Sequence, residues 1–191
     1  MKCLMCESLS LTHICKNCQD LHLKPQIFRR SLSNNIEVIS FYKYSDVKEL
    51  LHTKHTYLGY YIYKILADNS MKKFAKEFKF ENTLYSIAID DDAKNGYSHT
   101  ALLNKSLASQ YIKPLHSKLR AKNSISYSGK SKQFRLENPR NFQLQDFKEH
   151  KIILIDDIIT TGSTLNQAIK TMKKAQKEVL FCLTLADVSI K

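Results

Sequence analysis

The chain has 191 residues, 43% of them hydrophobic and 25% charged. That is ordinary globular composition with room for one full domain and a small appendage, and it excludes disordered, collagen-like and low-complexity proteins. Lys and Arg number 30 against 18 Asp and Glu, and the resulting net charge of +12 attracts polyanions: nucleic acid, phosphorylated small molecules or anionic membrane surfaces.

Residues 1–24 hold Cys3, Cys6, Cys15 and Cys18 in a C-x2-C-x8-C-x2-C pattern. Each pair places two thiolates on one tight knuckle, and two knuckles close a tetrahedron around a structural Zn2+. Four thiolates saturate the metal, so no chemistry is expected there. His13, between the pairs, is the alternative ligand. A disulfide framework is disfavoured because no export signal precedes the cysteines. A segment this short buries no core of its own, and metal binding substitutes for one. Residues 25–36, with Pro25 and the Phe28-Arg29-Arg30 cluster, read as a connector, and residues 37–191 as the main domain.

Residues 37–44 are rich in β-branched and aromatic side chains and predict a strand. Ser45 or Asp46 caps a helix carrying Leu50 and Leu51. Leu58, Tyr61, Ile62, Ile65 and Leu66 follow helical spacing, giving a second helix over 57–67. In 71–80, lysines alternate with Phe74, Phe78 and Phe80. That pattern predicts an aromatic stripe on the core beneath a solvated Lys face, in preference to a nucleic-acid-binding helix. Leu84 to Ile89 predicts a buried strand, followed by Asp90, Asp91 and Asp92. Tyr97 to Ala108 predicts a helix, and Tyr111 to His116 a strand. From Ser117 to Arg140 the periodicity fades, while Lys118, Arg120, Lys122, Lys130, Lys132 and Arg135 accumulate. This predicts a long basic loop, of the kind ordered domains keep for function. Lys151 to Ile155 is a strand, Ser163 to Ala175 a helix, and Glu178 to Leu185 a last strand with Cys182 in the core. Strands alternating with helices imply an α/β fold, a mostly parallel sheet with flanking helices.

The strongest motif is Ile152-Ile153-Leu154-Ile155-Asp156-Asp157-Ile158-Ile159-Thr160-Thr161-Gly162-Ser163-Thr164. Four apolar residues bury a central parallel strand. Two carboxylates then emerge at its carboxyl end, where open α/β sheets bind ligands. A hydroxyl-rich turn follows and opens a helix, whose amides and dipole favour a phosphate. Gly162 lets the backbone approach the anion. The Walker phosphate-loop pattern is absent.

This segment resembles the 5-phosphoribosyl-1-pyrophosphate (PRPP) fingerprint of type I phosphoribosyltransferases. The resemblance implies that Asp156 and Asp157 are the catalytic pair and contact the ribose hydroxyls. Thr160, Thr161, Gly162, Ser163 and Thr164 would wrap the 5-phosphate, and Mg2+ would accompany the pyrophosphate. Coupled to an N-terminal four-Cys zinc finger, the pattern resembles the ComF family, associated with DNA uptake in natural transformation. That family's Arg-Gly-Phe-Asn-Gln turn here reads Asn95-Gly96-Tyr97-Ser98-His99. Lys94 and Gly96 are the implied pyrophosphate contacts, and the departure places phosphate binding ahead of turnover.

Two functions follow as expectations. The resemblance, the charge and the basic stretch imply a cytoplasmic single-stranded-DNA-binding protein. Its Lys118, Arg120, Lys122, Lys130, Lys132 and Arg135 would neutralise phosphates, and Tyr127 or Phe134 would stack on bases. PRPP would be its ligand, and helicase or channel proteins of DNA uptake its partners near the inner membrane. No apolar run approaches the ~20 residues of a membrane span. The alternative is a metabolic phosphoribosyltransferase acting on a nucleobase or amine, with the basic stretch closing over the site. A zinc-bearing adaptor with a vestigial PRPP site is disfavoured, because paired carboxylates repel without a cation or ligand.

Overall fold

The computed structural model describes residues 1–89, 96–122, 134 and 137–190. Asp90, Asp91, Asp92, Lys94, Tyr127, Lys130, Lys132 and Arg135 lie outside the described residues.

Seven strands form one mixed sheet in the order β1-β2-β7-β6-β3-β4-β5. They are β1 (Phe28–Ser31), β2 (Glu37–Lys43), β3 (Leu84–Ile89), β4 (Ile112–Ala121), β5 (Phe142–Leu144), β6 (Lys151–Ile159) and β7 (Glu178–Asp187). The five inner strands run parallel, and the edge strands β1 and β5 pair antiparallel with their neighbours. The helices are α1 (Lys16–His22), α2 (Tyr44–His52), α3 (Tyr57–Asn69), α4 (Met71–Glu77), α5 (His99–Lys105) and α6 (Ser163–Lys174). A 3-10 turn, Thr53–His55, joins α2 to α3.

Strand β6 shows why a continuous apolar run was needed. Ile152, Ile153, Leu154 and Ile155 are all fully buried. Ile153 and Ile155 join the core layer under α2, α3 and α4, while Ile152 and Leu154 join the layer under α6. Helix α6 covers that second face with Leu165, Ala168, Ile169 and Met172. Each large apolar side chain buried this way contributes roughly 1.5–3 kcal/mol. Phe74 of α4 and Phe78 just beyond its end stack on one another at 5.3 Å and meet Phe181 of β7, so the aromatic stripe does face the core. Cys182 is a fully buried core residue, and burial raises its thiol pKa.

Five elements differ from the sequence expectation. Phe28–Ser31, expected in the connector, is an edge strand on β2; two arginines in four residues hid its alternation. Helix α2 starts at Tyr44, so Ser45 and Asp46 lie in its first turn instead of capping it, and Lys43 is an N-cap without a side-chain bond. The basic loop expected over 117–140 begins as strand, since β4 runs on to Ala121 and pairs with β5. Its solvent face carries the Lys and Arg residues that masked the apolar period. Strands β6 and β7 also run further than expected, β6 through the acidic pair to Ile159.

The N-terminal segment packs into the main core. Cys3, Ile14, Cys18 and Leu23 are nearly fully buried in the same cluster as Ile62, Tyr63 and Leu66. His13 stacks on Tyr61 with ring centroids 4.4 Å apart, and the Tyr42 hydroxyl donates to the Leu23 carbonyl at 3.1 Å. Among the described residues, no helix is long and apolar enough to cross a membrane.

Candidate functional site

Asp156 and Asp157 lie on β6, towards its carboxyl end, between β7 and β3. The Asp157 amide donates to Asp156 Oδ1 at 2.8 Å, which ties the pair together. Asp157 is the enclosed member. Lys54 Nζ donates to its Oδ2 at 2.9 Å, the Tyr63 hydroxyl donates to the same oxygen at 3.3 Å, and His99 Nε2 lies 3.5 Å away. Three separate elements thus converge on one carboxylate: the 3-10 turn, α3 and the first residue of α5.

Electrostatics divides the pair. Burial, then the Asp157 charge beside it, pushes Asp156 well above the usual carboxylate range. Burial also disfavours the Asp157 anion, but the Lys54 ammonium, then His99, outweigh it and hold Asp157 well below that range. The same pairing raises Lys54 against the opposing effect of its burial. The two carboxylates are thus pushed apart, Asp156 towards its neutral form and Asp157 towards the anion that Lys54 balances.

The Lys54 turn is held by close packing. The Tyr97 hydroxyl donates to the Lys54 carbonyl at 2.6 Å. Gly59 lies beneath it, where a Cβ would come within 2.1 Å of the Thr53 carbonyl oxygen and 2.4 Å of the Tyr97 hydroxyl. Only glycine admits that approach. Ser98 caps α5 by accepting from the Ala101 amide at 3.1 Å, which fixes the backbone of His99. Gly96, one residue before Tyr97, is exposed with φ +85°.

Beyond β6 the chain turns at Thr160, Thr161 and Gly162. Gly162 has φ +76° and is the N-cap of α6. The Asn166 amide bonds back to the Gly162 carbonyl, and the amides of Ser163, Thr164 and Leu165 fall in the first turn, where helix geometry supplies no internal acceptor. Those amides, with the hydroxyls of Thr161, Ser163 and Thr164, make a place suited to a phosphate. Arg30 of β1 braces the turn from outside. Its guanidinium donates to the Thr160 carbonyl at 2.7 Å and pairs with Asp187 at 3.2 Å.

The four cysteines come together as expected. Their sulfurs all lie within 4.8 Å of one another, and Cys6 and Cys15 are 3.7 Å apart. Tetrahedral Zn–S bonds of about 2.3 Å require sulfur separations of about 3.8 Å. The amides of Met5 and Cys15 donate to the Cys3 sulfur at 3.5 and 3.2 Å, and the Cys18 amide to Cys15 at 3.5 Å. The Cys15 amide is the chief cause of a Cys3 pKa lowered to about 6, whereas the neighbouring Cys6 sulfur, then burial, push Cys18 up to about 12. His13 is engaged with Tyr61 and stands outside the cluster. Among the described residues, these cysteines are the only group of three or more with metal-ligand geometry.

Of the expected nucleic-acid residues, Lys118 and Arg120 lie on β4, and Lys118 Nζ donates to the Asp146 carbonyl at 2.9 Å. Lys122 follows the strand. Sequence reasoning missed Lys54, Tyr63, His99 and Arg30. No local pattern marks the first two. His99 lay in the turn that departs from the ComF pattern, and that departure was its one signal.

Residues 104–191 match the phosphoribosyl transferase domain. The match runs from α5 through β7 and includes the acidic pair and its turn, so the α/β fold is of phosphoribosyltransferase type. No curated protein matches the chain. Among solved structures, a hypoxanthine phosphoribosyltransferase from Staphylococcus aureus is 17% identical, with 65% of this chain and 62% of that one covered and a TM-score of 0.39. The chain therefore spans less than two thirds of that relative. An orotate phosphoribosyltransferase from Mycobacterium tuberculosis H37Rv is 11% identical over 91% of this chain and 83% of that one, at TM-score 0.40. An adenine phosphoribosyltransferase is 13% identical over 91% and 90%, at 0.42.

Proposed function

We propose that this chain is a cytoplasmic single-stranded-DNA-binding protein of natural transformation that carries a PRPP site, with DNA-uptake helicase or channel proteins as partners. The observation that carries the PRPP half is the acidic pair followed directly by the hydroxyl turn at the carboxyl end of β6, inside the region matching a phosphoribosyl transferase domain. Asp156 and Asp157 would receive the ribose hydroxyls, and the turn from Thr160 to Thr164 the 5-phosphate. Mg2+ would arrive with the pyrophosphate, because Asp157 already has Lys54 as its cation. Zn2+ on Cys3, Cys6, Cys15 and Cys18 would be structural. The DNA half rests on the net charge of +12 and the resemblance to ComF proteins.

The alternative is a metabolic phosphoribosyltransferase, supported by the family of residues 104–191. It would displace pyrophosphate from the anomeric carbon with a nucleobase or amine. Fluorescence anisotropy of labelled single-stranded DNA over a salt series, with and without PRPP and Mg2+, separates the two. Binding that weakens steeply with salt supports DNA uptake. No binding near physiological salt favours the transferase. Calorimetry with PRPP tests the site itself: Asp156→Asn with Asp157→Asn removes binding in a chain that stays folded, and retained binding would sink the assignment.

A further inference from the structure

Beside the phosphate turn, on the α6 face of the sheet, lies an open groove of about 900 Å³. One wall is the β1–β2 hairpin with Arg30 and Asn34. The other is α6 with Asn166, Lys170, Lys173 and Lys174. Thr161 and Ser163 close one end, and Phe142 of β5 also lines it. Four of the described lining residues are cationic and none is acidic. Lys170, Lys173 and Lys174 are exposed, and none of them is ion-paired among the described residues.

Spacing makes these lysines informative. Lys173 and Lys174 lie three and four residues after Lys170, so each shares a helix face with it and the like charges repel. The helix dipole favours cations in the last turn, which accounts for Lys173 and Lys174 but not for Lys170 one turn earlier. A polyanion in the groove would convert that repulsion into attraction. A cationic groove with an aromatic side chain on its wall is the arrangement that tracks a single-stranded backbone while stacking a base.

We propose that this groove is the path of single-stranded DNA, with Lys170, Lys173 and Lys174 on its phosphates and Phe142 against a base. The proposal rests on the DNA-binding reading and places its surface on α6 in place of the basic stretch from Lys118 to Arg135. A flexible strand enters such a groove; a duplex, with phosphates spread over a stiff cylinder, does not.

The test is anisotropy of a labelled oligothymidylate on the zinc-loaded full chain. Lys170→Glu with Lys173→Glu weakens binding at least tenfold and flattens the salt dependence, since fewer counterions are released. The neutral pair Lys173→Gln with Lys174→Gln weakens it less, in the same direction. Lys48→Glu with Lys76→Glu, exposed on α2 and α4, stays within twofold of the unmodified chain. Circular dichroism and thermal melts, unchanged in every variant, show that each one is folded. If the unmodified chain binds DNA and Lys170→Glu with Lys173→Glu binds within twofold of it, the groove is refuted and the DNA reading survives. Equal losses from the two charge-reversed pairs, or duplex bound as tightly as single strand, also overturn the groove. If the unmodified chain does not bind, the parent reading falls and takes this proposal with it.

Discussion

Replacing Lys54 by Met removes the cation that balances Asp157 and keeps most of the side-chain volume. The ion pair spans 2.9 Å, with 27% of the Lys54 side chain and 9% of the Asp157 side chain exposed. Breaking a fully buried pair costs about 3–5 kcal/mol and an exposed pair contributes about 0–1, so this partly covered pair corresponds to about 2–3 kcal/mol. For a chain of this size that lowers the melting temperature by about 4–12 °C. The pH profile gives the sharper check. Asp157 is held low in the folded state, so its contribution is present above the unfolded carboxylate value of about 3.9 and is lost as pH falls through the folded one. Lys54 is held high, so its contribution is present below about 10.4 and is lost as pH rises through the folded value. The difference between the two proteins should therefore be largest from about pH 5 to 9 and shrink in acid. Thermal melts across that range, at fixed zinc, measure it. Asp157→Asn added to Lys54→Met should restore much of the loss, because the uncompensated charge is gone. A difference under about 1 °C at pH 7, or one that is flat from pH 2 to 8, would refute the placement of a charged pair here.

The division of the acidic pair predicts unequal substitutions. Asp156→Asn, which replaces a carboxyl pushed towards its neutral form by a near isostere, should change stability by under about 0.5 kcal/mol in denaturant titrations, whereas Asp157→Asn strands Lys54 and should cost at least about 1 kcal/mol. Gly59→Ala drives a Cβ into the Thr53 backbone and should cost roughly 1–3 kcal/mol by the same assay, with weaker PRPP binding because the Lys54 turn must move. Cys3→Ser should release the metal, seen as zinc content by mass spectrometry falling from about one per chain, and should lower the melting temperature because Cys3 is 1% exposed in the main core.

The acidic pair, its apolar strand and the hydroxyl turn were legible because strand period, sheet-edge chemistry and helix start all lie within one short segment. The four cysteines were legible for the same reason. Lys54 was not: its carboxylate partner is 103 residues away, and a lysine in a turn carries no local signal. Tyr63 sits in a helix whose apolar spacing was read correctly, yet spacing does not say that one buried hydroxyl aims at an acid 94 residues on. Strands β1 and β4 escaped, wholly or in part, because arginine and lysine on a half-exposed strand erase the period of two. Helix α6 was read as a helix, but its lysines acquire meaning only when the β1–β2 hairpin closes a groove against them.

The cysteine segment belongs to the same mechanical unit as the acidic pair. Gln19 of α1 accepts from Asn69 at the end of α3 at 3.0 Å, and His13 stacks on Tyr61 near the helix start. Tyr63, two residues beyond Tyr61, carries the hydroxyl that reaches Asp157. Helix α3 is thus gripped by the cysteine segment at both ends and touches the Asp157 carboxylate from its middle. Because Cys3 and Cys18 are buried in the core cluster that holds Tyr63, a metal on these thiolates would share one set of apolar contacts with the seating of α3. A segment too short to bury a core of its own borrows one, and a metal closing the four thiolates would steady the wall that encloses Asp157.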